Sequence, residues 1–176
     1  MHQQGQREDK NVWKLRIMCA DSWPGLIMEC ARAMSAMRPN NKIITLQKVG
    51  CTEVMSRSRH WPCLFPQHGP GRKHTWKIEL EQWQVVIVRE YPGEFARGLF
   101  HSDGWQGVNR VRRRLPSGDR WYEYPRYLFD NQSDDILRLC GETLDQLGVA
   151  WRYSRPKTYQ WRGVRRWRFH RPSEHQ

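Results

Sequence analysis

Residues 91–104, YPGEFARGLFHSDG, narrow what this chain can become more than any other stretch. Read from its residues, the segment is a short helix with both ends marked. Pro92 suits a first helical position, because the N–H it lacks would have no partner there. Glu94 favours the positive end of the helix dipole, and Gly104 is the natural left-handed stop. Asp103 is out of place. A carboxylate in the last turn faces the negative end of the dipole, which is unfavourable unless a cation or a turn hydrogen bond compensates.

That lone acid sits in a strongly basic chain. The 176 residues carry 30 Lys and Arg against 18 Asp and Glu, a formal net charge of +12. The length suits one domain or two small halves with a real core. The basic residues cluster, which points to nucleic acid as the partner. No apolar run is long enough to span a bilayer, and no long basic amphipathic helix suggests a membrane surface. The first residues, MHQQGQREDKN, lack the apolar segment of a signal peptide. Five cysteines without regular spacing read as buried free thiols of a cytoplasmic protein, nucleoid-associated if it holds DNA. Several of the ten tryptophans neighbour arginine, as Trp121, Trp151 and Trp167 do, which suits stacking near a polyanion as well as core packing.

Periodicity predicts an α+β chain. Residues 12–19 alternate as a strand, and Asp21 or Ser22 can cap the helix that follows, with Leu26, Ile27, Cys30, Ala33, Met34 and Met37 as its stripe. Residues 42–47 and 51–58 form a hairpin around Val49-Gly50, and 60–74 is a loop rich in Pro and Gly. Residues 79–90 make a helix with Leu80, Trp83, Val86 and Ile87 on one side. Beyond the Asp103 helix, strands 107–114 and 121–129 flank a turn at 116–119. Ser133 caps a helix over 134–147, striped by Ile136, Leu137, Cys140, Leu144 and Leu147 and stopped by Gly148. Strand, capped helix and hairpin thus occur twice, with Ser22 and Ser133 in equivalent positions, and the first copy lacks its opening helix and hairpin.

The second hairpin concentrates charge. Alternation puts Arg110, Arg112 and Arg114 on one face, and a two-stranded ribbon fits the major groove, where Arg pairs with guanine edges or phosphates. Arg120 and Arg126 add to it, and Gln106 and Asn109 suit adenine. In the first copy Lys42, Gln47, Lys48, Arg57 and Arg59 would be the equivalent face. The alternative for both is an exposed polar strand. His60, Cys63, His68 and His74 form a candidate zinc set in one loop, although their spacing matches no zinc signature and the prolines around them also suit a rigid loop.

With its flanks, ARGLFHSDG resembles the LAGLIDADG (DOD-type) homing endonucleases, in particular the bacterial, actinomycete-type members. The downstream YEYPRYLFDNQSDDI and LDQLGVAWR and the loop HWPCLFPQHGPGRKH carry the likeness further, over residues 11–156. Within the motif Gly98, Leu99, Asp103 and Gly104 fit the consensus. The resemblance implies two αββαββα halves about a pseudo-two-fold axis, each offering a saddle-shaped antiparallel sheet to the major groove of double-stranded DNA. Gly98 and Leu99 would lie where two motif helices pack, and Asp103 with Gly104 would hold Mg²⁺ for phosphodiester hydrolysis.

On this pattern residues 1–11 are a polar N-terminal segment, 12–90 an incomplete first half, 91–158 the second half and 159–176 a basic, disordered tail. The chain departs from the two-motif pattern at its start, where no motif helix is written, and at its end, YQWRGVRRWRFHRPSEHQ, where helix periodicity is missing. Both ends read as truncated or rewritten. A second acid would then come from a second subunit. Two expectations result: an endonuclease using Mg²⁺, or a non-cleaving DNA-binding or regulatory protein on the same scaffold, with a decayed endonuclease fragment as the duller reading.

Overall fold

The computed structural model describes residues 2–3, 12–67, 76–154 and 168–170. Those residues form a mixed α+β structure with five helices and antiparallel sheets. The chain divides into two units, residues 1–73 and 74–176.

The first unit runs β1 (His2–Gln3), β2 (Trp13–Ala20), α1 (Pro24–Met37), β3 (Ile43–Lys48), β4 (Cys51–Ser58) and α2 (Trp61–Leu64). Its antiparallel sheet has the order β1-β2-β4-β3. The predicted strands and the hairpin at Val49-Gly50 are present within a residue of their expected ends. Lying between two long partners, β4 is buried along most of its length. Cys19, Met34 and Val54 form the core, with Leu15, Leu26, Ile27, Cys30, Ala31 and Ile43 packed around them.

Two details of α1 differ from expectation. Its stripe passes through Ala31, four residues after Ile27 and three before Met34, so Ala33 and Met37 are exposed. Neither Asp21 nor Ser22 caps it, for Trp23 holds the N-cap position without a side-chain bond. Asp21 is committed to the sheet instead, accepting from Gln47 Nε2 and from the Thr52 hydroxyl, each at 2.8 Å. The short α2 interrupts the expected loop, with Trp61 fully buried and its indole N–H donating to the Ser56 carbonyl at 3.1 Å. Residues 68–75 of that loop lie outside the described residues.

The second unit runs α3 (Gln82–Glu90), α4 (Pro92–Asp103), β5 (Gly104–Leu115), β6 (Gly118–Phe129), α5 (Asp134–Gln146), β7 (Arg152–Ser154) and β8 (Arg168–His170). β5 pairs with β6 and β7 with β8, both antiparallel, and β8 lies against β6. Strand, strand, helix, strand, strand thus recurs in both units. The expected first half ended at residue 90, yet α3 packs within the second unit: Gln146 donates to the Arg89 carbonyl at 2.7 Å, and the Asp135 carboxylate accepts the Ile78 N–H at 2.8 Å.

Helix α5 follows its sequence closely. The Ser133 hydroxyl accepts from the Ile136 N–H, and Gly148 has the expected left-handed φ of 66°. Leu137, Cys140 and Leu144 build the core with Phe129, flanked by Leu99, Phe100, Ile136 and Trp151, whereas Leu147 is exposed. Burial pushes the Cys140 thiol up to about 12. Trp151 lies directly on Gly141, where a Cβ would come within 2.8 Å of the ring.

Helix α3 starts later than expected, where the Gln84 side chain accepts the Glu81 N–H at 2.9 Å. Of the apolar residues expected on one side, Leu80 precedes the helix and is half-buried, Trp83, Val86 and Ile87 are exposed, and Val85 and Val88 are half-buried. Of the expected tail, residues 168–170 form β8, and the remainder lies outside the described residues.

Candidate nucleic-acid interface

Helix α4 delivers Asp103 to the root of the β5–β6 ribbon. Pro92 and Glu94 occupy its first turn as expected. Gly104 does not stop it in a left-handed conformation. Its φ is −87° and ψ 157°, because it already pairs with Phe129 as the first residue of β5. Ala96, Leu99 and Phe100 turn inward, with the Phe100 ring 5.5 Å from that of Phe129. Gly98 faces outward, and a Cβ there would meet nothing within 4 Å. Among the described residues it brings no second helix close.

The awkward carboxylate of Asp103 is relieved by hydrogen bonds. Asn131 Nδ2 donates to Oδ2 at 3.0 Å, and the Ser102 hydroxyl lies at the same distance. Asn131 also accepts the Ser133 N–H at 2.8 Å, which ties Asp103 to the start of α5. Asp103 is exposed, and one hard carboxylate oxygen suits Mg²⁺. Paired-metal phosphodiester chemistry requires acids converging on two ions. No group of three His, Cys, Asp or Glu side chains converges among the described residues. Asp103 supplies one exposed carboxylate of the kind such chemistry uses. His60 and Cys63 stand at the start and on the surface of α2, while His68 and His74 lie outside the described residues.

The ribbon sorts the expected DNA-contacting side chains by parity. Residues opposite one another share a face, so Gln106, Arg110, Arg112 and Arg114 lie with Tyr127, Glu123, Trp121 and Asp119. All of these are exposed. Gln106 donates to the Tyr127 hydroxyl at 3.2 Å. Arg110 Nε lies 3.2 Å from Glu123, with its guanidinium 4.6 Å from the centre of the Trp121 ring. Arg112 pairs with Asp119.

Asn109, Arg120 and Arg126 share the opposite face, where Tyr122, Tyr124 and Leu128 are half-buried. Asn109 donates to the Tyr124 hydroxyl, and the Arg120 guanidinium stands 5.6 Å from the Tyr122 ring centre. The expected set is therefore split. The sequence reading also missed Glu123 and Asp119, which fold back on the arginines and become visible once the hairpin register is drawn from the turn.

The first unit sorts its residues in the same way. Gln47 lies opposite Thr52 and donates through Nε2 to Asp21, so it serves the Asp21 network. Arg57 and Lys48 lie on the other face of the sheet, and exposed Lys42 precedes β3. No helix among the described residues is long and apolar enough to cross a membrane. Compared with known proteins, the chain matches no family model and no curated sequence.

Proposed function

We propose that the protein binds double-stranded DNA through the open faces of its antiparallel sheets. The observation that carries this reading is the row of Arg110, Arg112 and Arg114 on one exposed face of a two-stranded ribbon, beside Gln106 and Trp121. A ribbon of this kind fits a major groove. The ion pairs to Glu123 and Asp119 do not oppose it, since exposed pairs hold weakly and exchange readily for phosphate. The order α4-β5-β6-α5-β7-β8 supports a LAGLIDADG-like half, and the strand order of the first unit supports an incomplete second copy.

The endonuclease reading is favoured by one specific feature. Asp103 sits at the ribbon root, held through Asn131, where its carboxylate would take a Mg²⁺ ion that stabilises charge on a scissile phosphate. With one such acid in the chain's motif helix, cutting both strands calls for a second subunit. In a gel-shift titration, replacing Arg110, Arg112 and Arg114 by alanine should weaken binding to mixed-sequence duplex and lower the salt slope by about 0.9 for every phosphate no longer neutralised. An unchanged slope rejects the ribbon as the interface. Plasmid nicking in Mg²⁺ that is abolished in Asp103→Asn supports the endonuclease, and equal behaviour of the two proteins leaves the binding role alone.

A further inference from the structure

The sheet face of the first unit opposite α1 holds a buried acid that the ribbon has no counterpart for. Alternation along β4 puts Glu53, Met55 and Arg57 on that face, while Thr52, Val54 and Ser56 turn toward α1. Glu53 is 1% exposed although its direct cross-strand neighbours, Met18 and Leu46, are 46% and 42% exposed. Three cations lie against it, and Met55 on the same face is buried as well. Lys14 Nζ lies 3.2 Å and Arg16 Nε 3.3 Å from Oε1, and Lys48 Nζ lies 2.9 Å from Oε2.

Three cations from two flanking strands thus converge on one carboxylate, leaving two positive charges in excess. They also leave donors to spare. Arg16 faces the Glu53 carboxylate with its Nε as an ion pair, so its terminal nitrogens remain for another acceptor. The Lys48 side chain is 45% and that of Arg16 33% exposed, so both reach solvent from an anchored position. Hydrogen bonding from Lys48 first, then from Lys14, holds the Glu53 carboxyl below the usual range, so the acid is charged at neutral pH. Long cationic side chains normally lose rotamer freedom when they bind an anion. Here that ordering is already done. Arg57, on the same face and directly opposite Lys14, extends the positive field.

We propose that this cluster is a phosphate cradle for the backbone of nucleic acid, in which Glu53 is the positioning residue that holds Lys14, Arg16 and Lys48. The proposal rests on the DNA-binding reading and adds a second contact surface to it. It also makes a counterintuitive demand. Glu53→Gln removes a negative charge from a protein that binds a polyanion, so charge alone predicts tighter binding. The cradle predicts weaker binding, because the cations lose the anchor that fixes them.

The experiment is a salt titration of duplex binding by fluorescence anisotropy, with a thermal melt by circular dichroism to verify the fold. Glu53→Gln should lower both affinity and salt slope, and Arg16→Gln and Lys48→Gln should each lower the slope by about 0.9. Arg32→Gln, which removes the same charge from the exposed side of α1, should leave the slope in place. If Glu53→Gln fails to fold, Arg16→Gln and Lys48→Gln decide. Wild-type binding with unchanged slopes in those two, or tighter binding by a folded Glu53→Gln, overturns the cradle alone. Wild-type protein that does not bind duplex overturns the DNA-binding reading and the cradle with it.

Discussion

The sheet of the first unit and the ribbon of the second carry similar positive charge and treat their acids in opposite ways. In the sheet one carboxylate, Glu53, is buried beneath Lys14, Arg16 and Lys48. In the ribbon Glu123 and Asp119 stand in the open, each ion-paired with one arginine. A buried carboxylate must stay paired, because removing its partners leaves a charge in a poorly hydrated place. An exposed one can release its arginine to a phosphate at little cost. The sheet therefore presents cations already arranged, and the ribbon presents cations that can be recruited.

The contrast can be broken first at the two cores, where the effects are largest. Trp61→Ala in the first unit and Phe129→Ala in the second each remove a fully buried ring and should cost about 3–5 kcal/mol in denaturant melts. Amide exchange should open β2 and β4 in the former, and β6 and α5 in the latter.

Gly141→Ala should follow at about 1–3 kcal/mol, since the added methyl collides with Trp151. A change in Trp fluorescence should accompany it, and an unchanged spectrum would contradict the packing of Trp151 on α5.

Acid distinguishes the sheets by direction. Glu53 has a lowered folded value, so its contribution is complete above the ordinary carboxyl value of 4.5 and is lost as pH falls through the folded one. Exchange protection of β4 should drop over that acid range in wild type, and the drop should be absent in Glu53→Gln.

The smallest effect belongs to the ribbon. A double-mutant cycle on Arg110 and Glu123 should give a coupling of about 0.2–1 kcal/mol, diminished by salt. A larger, salt-insensitive coupling would make the ribbon resemble the sheet and erase the distinction.

Most of the fold was legible because it follows from local pattern. The hairpin at Val49-Gly50, the second hairpin (whose turn is 116–117, since Gly118 and Asp119 of the expected 116–119 turn already pair in β6), the Ser133 cap and the α5 stripe all come from adjacent residues that satisfy one another. What escaped depends on partners distant in sequence. Asp21 reads as a helix cap, yet Thr52 and Gln47 claim it across the sheet. Gly104 reads as a helix stop, yet pairing with Phe129 draws it into a strand. The apolar side of α3 is legible as a stripe, yet its unit covers Val85 and Val88 rather than Trp83, Val86 and Ile87.

The candidate site divides in the same way. The arginine row follows from alternation alone, whereas Asn131 beside Asp103, and Lys14 and Arg16 beside Glu53, appear only when chain segments 28 residues or more apart meet.

The central claim is that cations on open sheet faces engage the DNA backbone, and the most direct measurement is the salt dependence of duplex affinity, with and without Mg²⁺. The account predicts that the logarithm of affinity falls linearly with the logarithm of salt, that binding persists without the metal, and that the slope shrinks in the Arg110, Arg112 and Arg114 alanine variant. Affinity that ignores salt, or that exists only with Mg²⁺, would contradict it.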